Sequence, residues 1–137
     1  MKATFHISLP CKSIEETIKF YEENLNLEIG RKTNKWVDIN LFGNQITFVL
    51  TENYDFKFPM YSLDDIKIPS FHFGVIFLEN NEWDKMHDMI NNWSTETIIR
   101  KTCFGGKNGE HYSFFVKDPN GYVLEFKTFA DYDNMFG

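Results

Sequence analysis

Apolar and polar residues alternate in two short stretches that match each other. In "FHISL", residues 5–9, Phe5, Ile7 and Leu9 share one phase, and in "FHFGV", residues 71–75, Phe71, Phe73 and Val75 do the same. Alternation of this kind predicts half-buried strands. A histidine, His6 or His72, takes the opposite phase in each, and a small residue, Ser8 or Gly74, follows it by two. The period then lengthens. In "SIEETIKFYEENLNL", residues 13–27, Ile14, Ile18, Tyr21 and Leu25 recur at helical spacing behind a Ser13/Glu16 capping box. In "NEWDKMHDMINNW", residues 81–93, Trp83, Met86, Ile90 and Trp93 form a second stripe, and such Met and Trp positions read as core.

A β-ribbon follows each helix. The first, residues 35–50, has Gly43-Asn44 as a two-residue turn that pairs Phe42 with Gln45. Val37, Ile39, Leu41, Ile46, Phe48 and Leu50 then form an apolar face under the helix. Trp36, Asp38, Asn40, Phe42, Gln45, Thr47 and Val49 form a mixed face, suited to a ligand cavity or to solvent. The second ribbon, residues 111–129, turns at Asp118-Pro119-Asn120-Gly121. It puts Tyr112, Phe114 and Val116 on the helix side and His111, Ser113 and Phe115 on the other. The chain is therefore read as one domain of two similar modules, residues 1–52 and 71–129. A linker over 53–70 carries Pro59 and Pro69, and a tail over 130–137 offers Tyr132, Met135 and Phe136 for docking. A module of this size closes a core poorly alone, so two copies gain by pairing their sheets.

Composition narrows the function classes. Apolar residues make up 42 % and aromatics 18 %, ample for a core and unlike a disordered chain. The net charge of −6 removes the electrostatic footprint of nucleic-acid binding and mildly favours a cationic ligand. Cys11 and Cys103 have neither metal spacing nor a disulfide pattern, which points to a reducing cytoplasm. No apolar run reaches the roughly 18 residues of a membrane span. "MKATFHISLP" is too short and too polar for a signal-peptide core.

A lone strand histidine is most often structural. The same histidine at the same phase in both halves is not explained by packing, so His6 and His72 are candidate ligands of one metal. Two imidazoles usually take a carboxylate with them. Glu125, inside "YVLEFKTF", is the candidate, and the competing reading is an exposed strand glutamate paired with Lys127. Aligning the ribbons on Gly43 and Gly121 makes Thr47 the counterpart of Glu125.

The stretches "FHISLPCKSIEETIKFYEENLNLE", "FHFGVIF" and "FFVKDPNGYVLEFK" resemble the vicinal oxygen chelate superfamily, which includes glyoxalase I, extradiol dioxygenases, and fosfomycin- and bleomycin-resistance proteins. The resemblance covers nearly the whole chain, and "DPNG…LEF" is its most specific part. It implies an α+β fold in which two βαββ(β) modules pair into an open, curved mixed β-barrel sheet with helices outside. It further implies a divalent metal (Fe, Mn, Zn or Ni) held by His6, His72 and Glu125, and assembly as a homodimer. Glyoxalase I places a carboxylate where this chain has Thr47. A neutral hydroxyl is a poor ligand and no base near pH 7, so the resemblance argues against that reaction. Two histidines and a glutamate with open positions suit Fe(II) or Lewis-acid chemistry on vicinal substrate oxygens.

The expected function is a metal-dependent, dioxygenase-like or lyase-like enzyme acting on a small oxygen-bearing substrate. The alternative is a metal-free protein that sequesters a drug or metabolite, as bleomycin-resistance proteins do. Expected pocket residues are Trp36, Asp38, Gln45, Thr47, Val49, His111, Ser113 and Phe115. His111 is the candidate acid or base, with a strand-end surface histidine as the competing reading. Phe104, Lys107 and Asn108, in the Gly-rich "CFGGKNGE", are placed to cover a cavity; that stretch lacks the Lys-Ser/Thr ending of a phosphate loop.

Overall fold

The structure, a computed structural model, describes residues 1–55, 57–93 and 99–137, without the side chains of residues 99–101. It is α+β and divides into two compact units. One comprises Met1–Lys57 with Asp118–Gly121, and the other Phe58–Lys117 with Tyr122–Gly137. The first unit runs β1 (His6–Cys11), α1 (Ile14–Ile18), β2 (Glu28–Lys32), β3 (Trp36–Leu41) and β4 (Asn44–Leu50). After a hairpin of β5 (Met60–Leu63) and β6 (Ile66–Pro69), the second repeats the order as β7 (Phe73–Phe77), α2 (Asn80–Asn91), β8 (Ile99–Cys103), β9 (His111–Lys117) and β10 (Val123–Phe129). The stretch expected as a plain linker thus contains a two-stranded ribbon of its own. The sheets have matching orders, β1-β4-β3-β2 and β7-β10-β9-β8, each with one parallel and two antiparallel pairings. Both modules are therefore βαβββ.

Registers bear out the internal alignment. Ser8 pairs with Thr47 in the first unit, and Gly74 pairs with Glu125 in the second. Thr47 is thus the true counterpart of Glu125.

The first helix departs from expectation. Ser13 Oγ accepts from Glu16 N at 3.2 Å, as an N-cap should. The helix turns α for only five residues and then widens into a π-helix over Lys19–Asn24. Phe20 and Tyr21, adjacent in this segment, are both buried, together with Thr17 and Leu25. Ile14 and Ile18, expected on the stripe, are only half-buried. A fully buried ring such as Tyr21 or Phe48 contributes roughly 2–3 kcal/mol through lost apolar exposure. Helix α2 follows expectation more closely. Trp83, Met86 and Ile90 are buried, and Trp83 Nε1 donates to the Phe126 carbonyl at 2.9 Å. Trp93 lies past the helix end and is half-buried.

The first ribbon keeps its predicted faces and changes its register. Val37, Ile39, Leu41, Ile46 and Phe48 are all buried, although Leu50 is exposed. The two-residue turn is Phe42-Gly43, both at positive φ, not Gly43-Asn44. Leu41 therefore pairs with Asn44, and Asp38 comes opposite Thr47. Asparagines on both sides fix this turn. Gly43 N donates to Asn40 Oδ1 at 2.7 Å, and Asn44 Nδ2 donates to the Leu41 carbonyl at 3.1 Å.

Residues 118–121 form a buried clasp within the first unit. Asn120 Oδ1 accepts from Lys12 N at 2.9 Å, and its Nδ2 donates to Thr17 Oγ1 at 3.2 Å and Asp118 Oδ2 at 3.0 Å. Tyr21 Oη donates to the same Asp118 oxygen at 3.0 Å. Among the described residues, no helix is long and apolar enough to cross a membrane.

Candidate functional site

The second unit gathers the most chemistry. His72 stands just before β7, and Glu125 sits mid-strand on β10. His72 Nε2 lies 3.2 Å from Glu125 Oε2, with the two side chains 20 % and 12 % exposed. The Pro69 carbonyl can only accept, so the 2.9 Å contact to His72 Nδ1 puts a proton on Nδ1. In the neutral ring Nε2 then carries a lone pair aimed at a carboxylate oxygen. Two acceptors cannot hold that separation unless Nε2 is protonated or a cation lies between them.

The pair fits a metal in its chemistry and its spacing. A ligand histidine usually donates its other ring N–H to a carbonyl, as Pro69 provides. Two donor atoms each about 2.1 Å from one cation stand roughly 3.0 Å apart at a right angle and roughly 3.4 Å apart at the tetrahedral angle. The observed 3.2 Å falls between. The pair supplies two donors. Among the described residues, no three His, Cys, Asp or Glu side chains cluster closely enough to hold an ion. His6 opens β1 in the first unit and is exposed.

Glu125 Oε1 is engaged separately. Ser113 Oγ donates to it at 2.7 Å, and Lys127 Nζ lies at 3.4 Å. The pairing with Lys127 allowed by the sequence is therefore present, but the glutamate is mostly buried. Phe115, opposite Glu125 on β9, meets the His72 ring edge-on at 6.1 Å. Tyr61 stacks 6.4 Å from His72, and its hydroxyl pKa is raised by burial and then by the charge of Glu125. An open cavity of about 230 Å³ adjoins these groups, lined by His72, Gly74, Ile76, Glu125 and Lys127 among others. Gly74 acts on the backbone: a Cβ there would land on the Glu125 carbonyl. The glycine allows β7 to approach β10, whatever space it also leaves beside the imidazole.

Other expected site residues lie apart from this cavity's lining. His111 opens β9 with Nδ1 against the Gly109 carbonyl at 2.9 Å and its ring 5.1 Å from Phe129. The Gly-rich loop before it is closed on itself: Gly106 N and Tyr112 Oη both donate to Glu110, which lowers that carboxyl's pKa, Tyr112 contributing most. Phe104 is exposed and Phe104 and His111 rings lie 5.9 Å apart. In the first unit Asp38 is buried and accepts from Thr47 Oγ1 at 2.7 Å. A bulge in β2 brings Arg31 to within 3.4 Å of Asp38 and over the Trp36 ring at 5.7 Å. Gln45 and Val49 share that face and are exposed. Lys127 is the cavity residue that sequence reasoning kept only as a counter-ion. Its position two residues after Glu125 was the available signal.

The fold and its repeated module agree with the sequence comparison. The chain belongs to the Glyoxalase/Bleomycin resistance protein/Dioxygenase superfamily, whose family model matches residues 4–126. It is similar to a glyoxalase/bleomycin resistance protein/dioxygenase from Alicyclobacillus acidocaldarius, with 26 % identity, 98 % of this chain and 96 % of that one covered, and a TM-score of 0.81. It shares its fold with a lactoylglutathione lyase from Agrobacterium tumefaciens (15 % identity, 93 % and 94 % covered, TM-score 0.67). The same holds for a genomically encoded fosfomycin resistance protein from Listeria monocytogenes (16 % identity, 98 % of each chain covered, TM-score 0.65). Among curated protein sequences, none matches this one.

Proposed function

We propose that this protein is a metal-dependent enzyme that binds a small oxygen-bearing substrate, with His72 and Glu125 as protein ligands and His6 as the third ligand that the repeated Phe-His motif and the family resemblance imply. When bound there, a divalent metal (Fe, Mn, Zn or Ni) supplies Lewis acidity toward vicinal substrate oxygens, or dioxygen chemistry of the dioxygenase kind. The observation that carries this reading is the setting of His72: Nδ1 is committed to Pro69, and Nε2 is turned on a carboxylate oxygen at 3.2 Å. Ser113 and Lys127 occupy Oε1, so Glu125 presents Oε2 alone. Thr47 is neutral and its hydroxyl is committed to Asp38, so the reading is dioxygenase-like or another lyase rather than glyoxalase I chemistry. His111, with Nδ1 on a carbonyl, keeps Nε2 as the atom that would exchange a proton. A homodimer is the proposed assembly, and a cytoplasmic location fits the two unpatterned cysteines.

A second reading has one observation in its favour. Lys127 Nζ lies 3.4 Å from Glu125 Oε1 and offsets its charge, which suits a metal-free sequestration protein. Metal analysis of the purified protein, followed by Mn(II) titration of wild type, His72→Ala and Glu125→Gln, separates the two. The enzyme reading expects one equivalent bound and at least a 100-fold loss in each variant. A wild type that takes up no metal overturns it in favour of sequestration.

A further inference from the structure

We propose that Lys127 receives the anionic group of the substrate, so that the ligand of the His72–Glu125 cavity is a small carboxylate-type anion with adjacent oxygens. This rests on reading that cavity as the substrate site. Lys127 follows Glu125 by two on β10, lies opposite Ser113 on β9, and pairs with Ile76 on β7. Its side chain is 25 % exposed and lines the cavity, with Nζ 3.4 Å from Glu125 Oε1.

Glu125 does not need this lysine. Ser113 already gives Oε1 a short bond of 2.7 Å, while Nζ stands off at 3.4 Å. A charge-assisted N–H···O bond closes to about 2.7–2.9 Å. An ammonium carries three donors, and among the described residues Glu125 is the acidic partner recorded for this one. A half-buried cation held loosely beside a satisfied oxygen is placed to turn toward an incoming anion.

Local charge points the same way. Glu125 and Lys127 cancel, and the divalent ion of the proposed function would leave the cavity with an excess of two positive charges. A ligand carrying two negative charges, with two oxygens for the metal and a charge for Lys127, neutralises that excess, and a monoanion halves it. The overall charge of −6 favours a cationic ligand at long range. Salt screens that field within about 8–10 Å, whereas Lys127 acts on a ligand in this cavity at contact distance.

Oxalate is the probe, with oxamide as its uncharged analogue. Both are titrated calorimetrically into Mn(II)-loaded wild type, K127Q, K127M and K127R, with Mn(II) affinity measured separately for each. Oxalate affinity should fall at least tenfold in K127Q and K127M and return to within threefold in K127R. Oxamide binding should be insensitive to all three, and Mn(II) affinity should not weaken. Oxalate affinity equal within twofold in wild type and both neutral variants overturns the proposal. If the wild type binds no Mn(II), the metal reading fails by itself. Oxalate is then titrated into metal-free protein, where the same tenfold loss supports Lys127 and its absence overturns it.

Discussion

Asp38 lies directly across the β3–β4 ladder from Thr47, and the threonine hydroxyl donates to its carboxylate at 2.7 Å. In the second unit the matching pair is Phe115 and Glu125, so the acid has moved to the neighbouring strand. Asp38 is buried, whereas its salt-bridge partner Arg31 is 79 % exposed and contributes little. Thr47→Val should therefore cost about 1–3 kcal/mol, the penalty of leaving a buried carboxylate oxygen short of a donor. Urea denaturation measures it. A change in midpoint within experimental error would show that Asp38 does not depend on Thr47.

Gly74→Ala should be among the most damaging single-methyl changes in the chain. The new Cβ meets the Glu125 backbone, which cannot move without opening the β7–β10 ladder. A loss of about 3 kcal/mol or more is expected, at the upper end for overpacking. Gly105→Ala, whose Cβ would find only a Thr102 methyl at 3.9 Å, is the control and should stay within about 0.5 kcal/mol. Equal melting temperatures for the two variants would contradict the close approach.

Tyr54 sets an alkaline limit. Its hydroxyl donates to the Pro10 carbonyl at 3.3 Å, and its pKa is pushed up to about 12, first by burial and then by the neighbouring Cys11 and Asp118. A folded pKa above the unfolded value means that the neutral phenol stabilises the fold. That contribution is complete below about pH 10 and is lost as pH rises toward 12. Absorbance titration at alkaline pH should show a late tyrosine step that Tyr54→Phe removes. An unchanged titration curve in that variant would refute the assignment.

Much of the fold was legible because burial follows simple periods. Val37, Ile39, Ile46 and Phe48 fell on the correct face, since a period of two survives an error in the turn. The register did not survive it. Phe42 at positive φ is a poor reading from propensity alone, and it is the Asn40 and Asn44 side chains that select that turn. The π turn was hidden for a similar reason, because adjacent aromatics such as Phe20 and Tyr21 also fit one face of an ordinary α-helix, so the apolar pattern does not reveal the widening. At the site, the pairing of Glu125 with Lys127 could be read from their spacing. The burial of that pair could not, since it depends on strand partners such as Ser113 and Phe115.

The clasp of residues 118–121 gives the chain an order in time. Asn120 and Asp118 complete hydrogen bonds of α1 and its π extension, yet they are made long after the rest of the first unit. At roughly 5–20 residues per second, a ribosome exposes Thr17 and Tyr21 several seconds before their partners exist. The first module therefore stands without these partners until most of the second has emerged. A fragment ending at Lys57 would lack the partners that Lys12, Thr17 and Tyr21 find in Asp118 and Asn120.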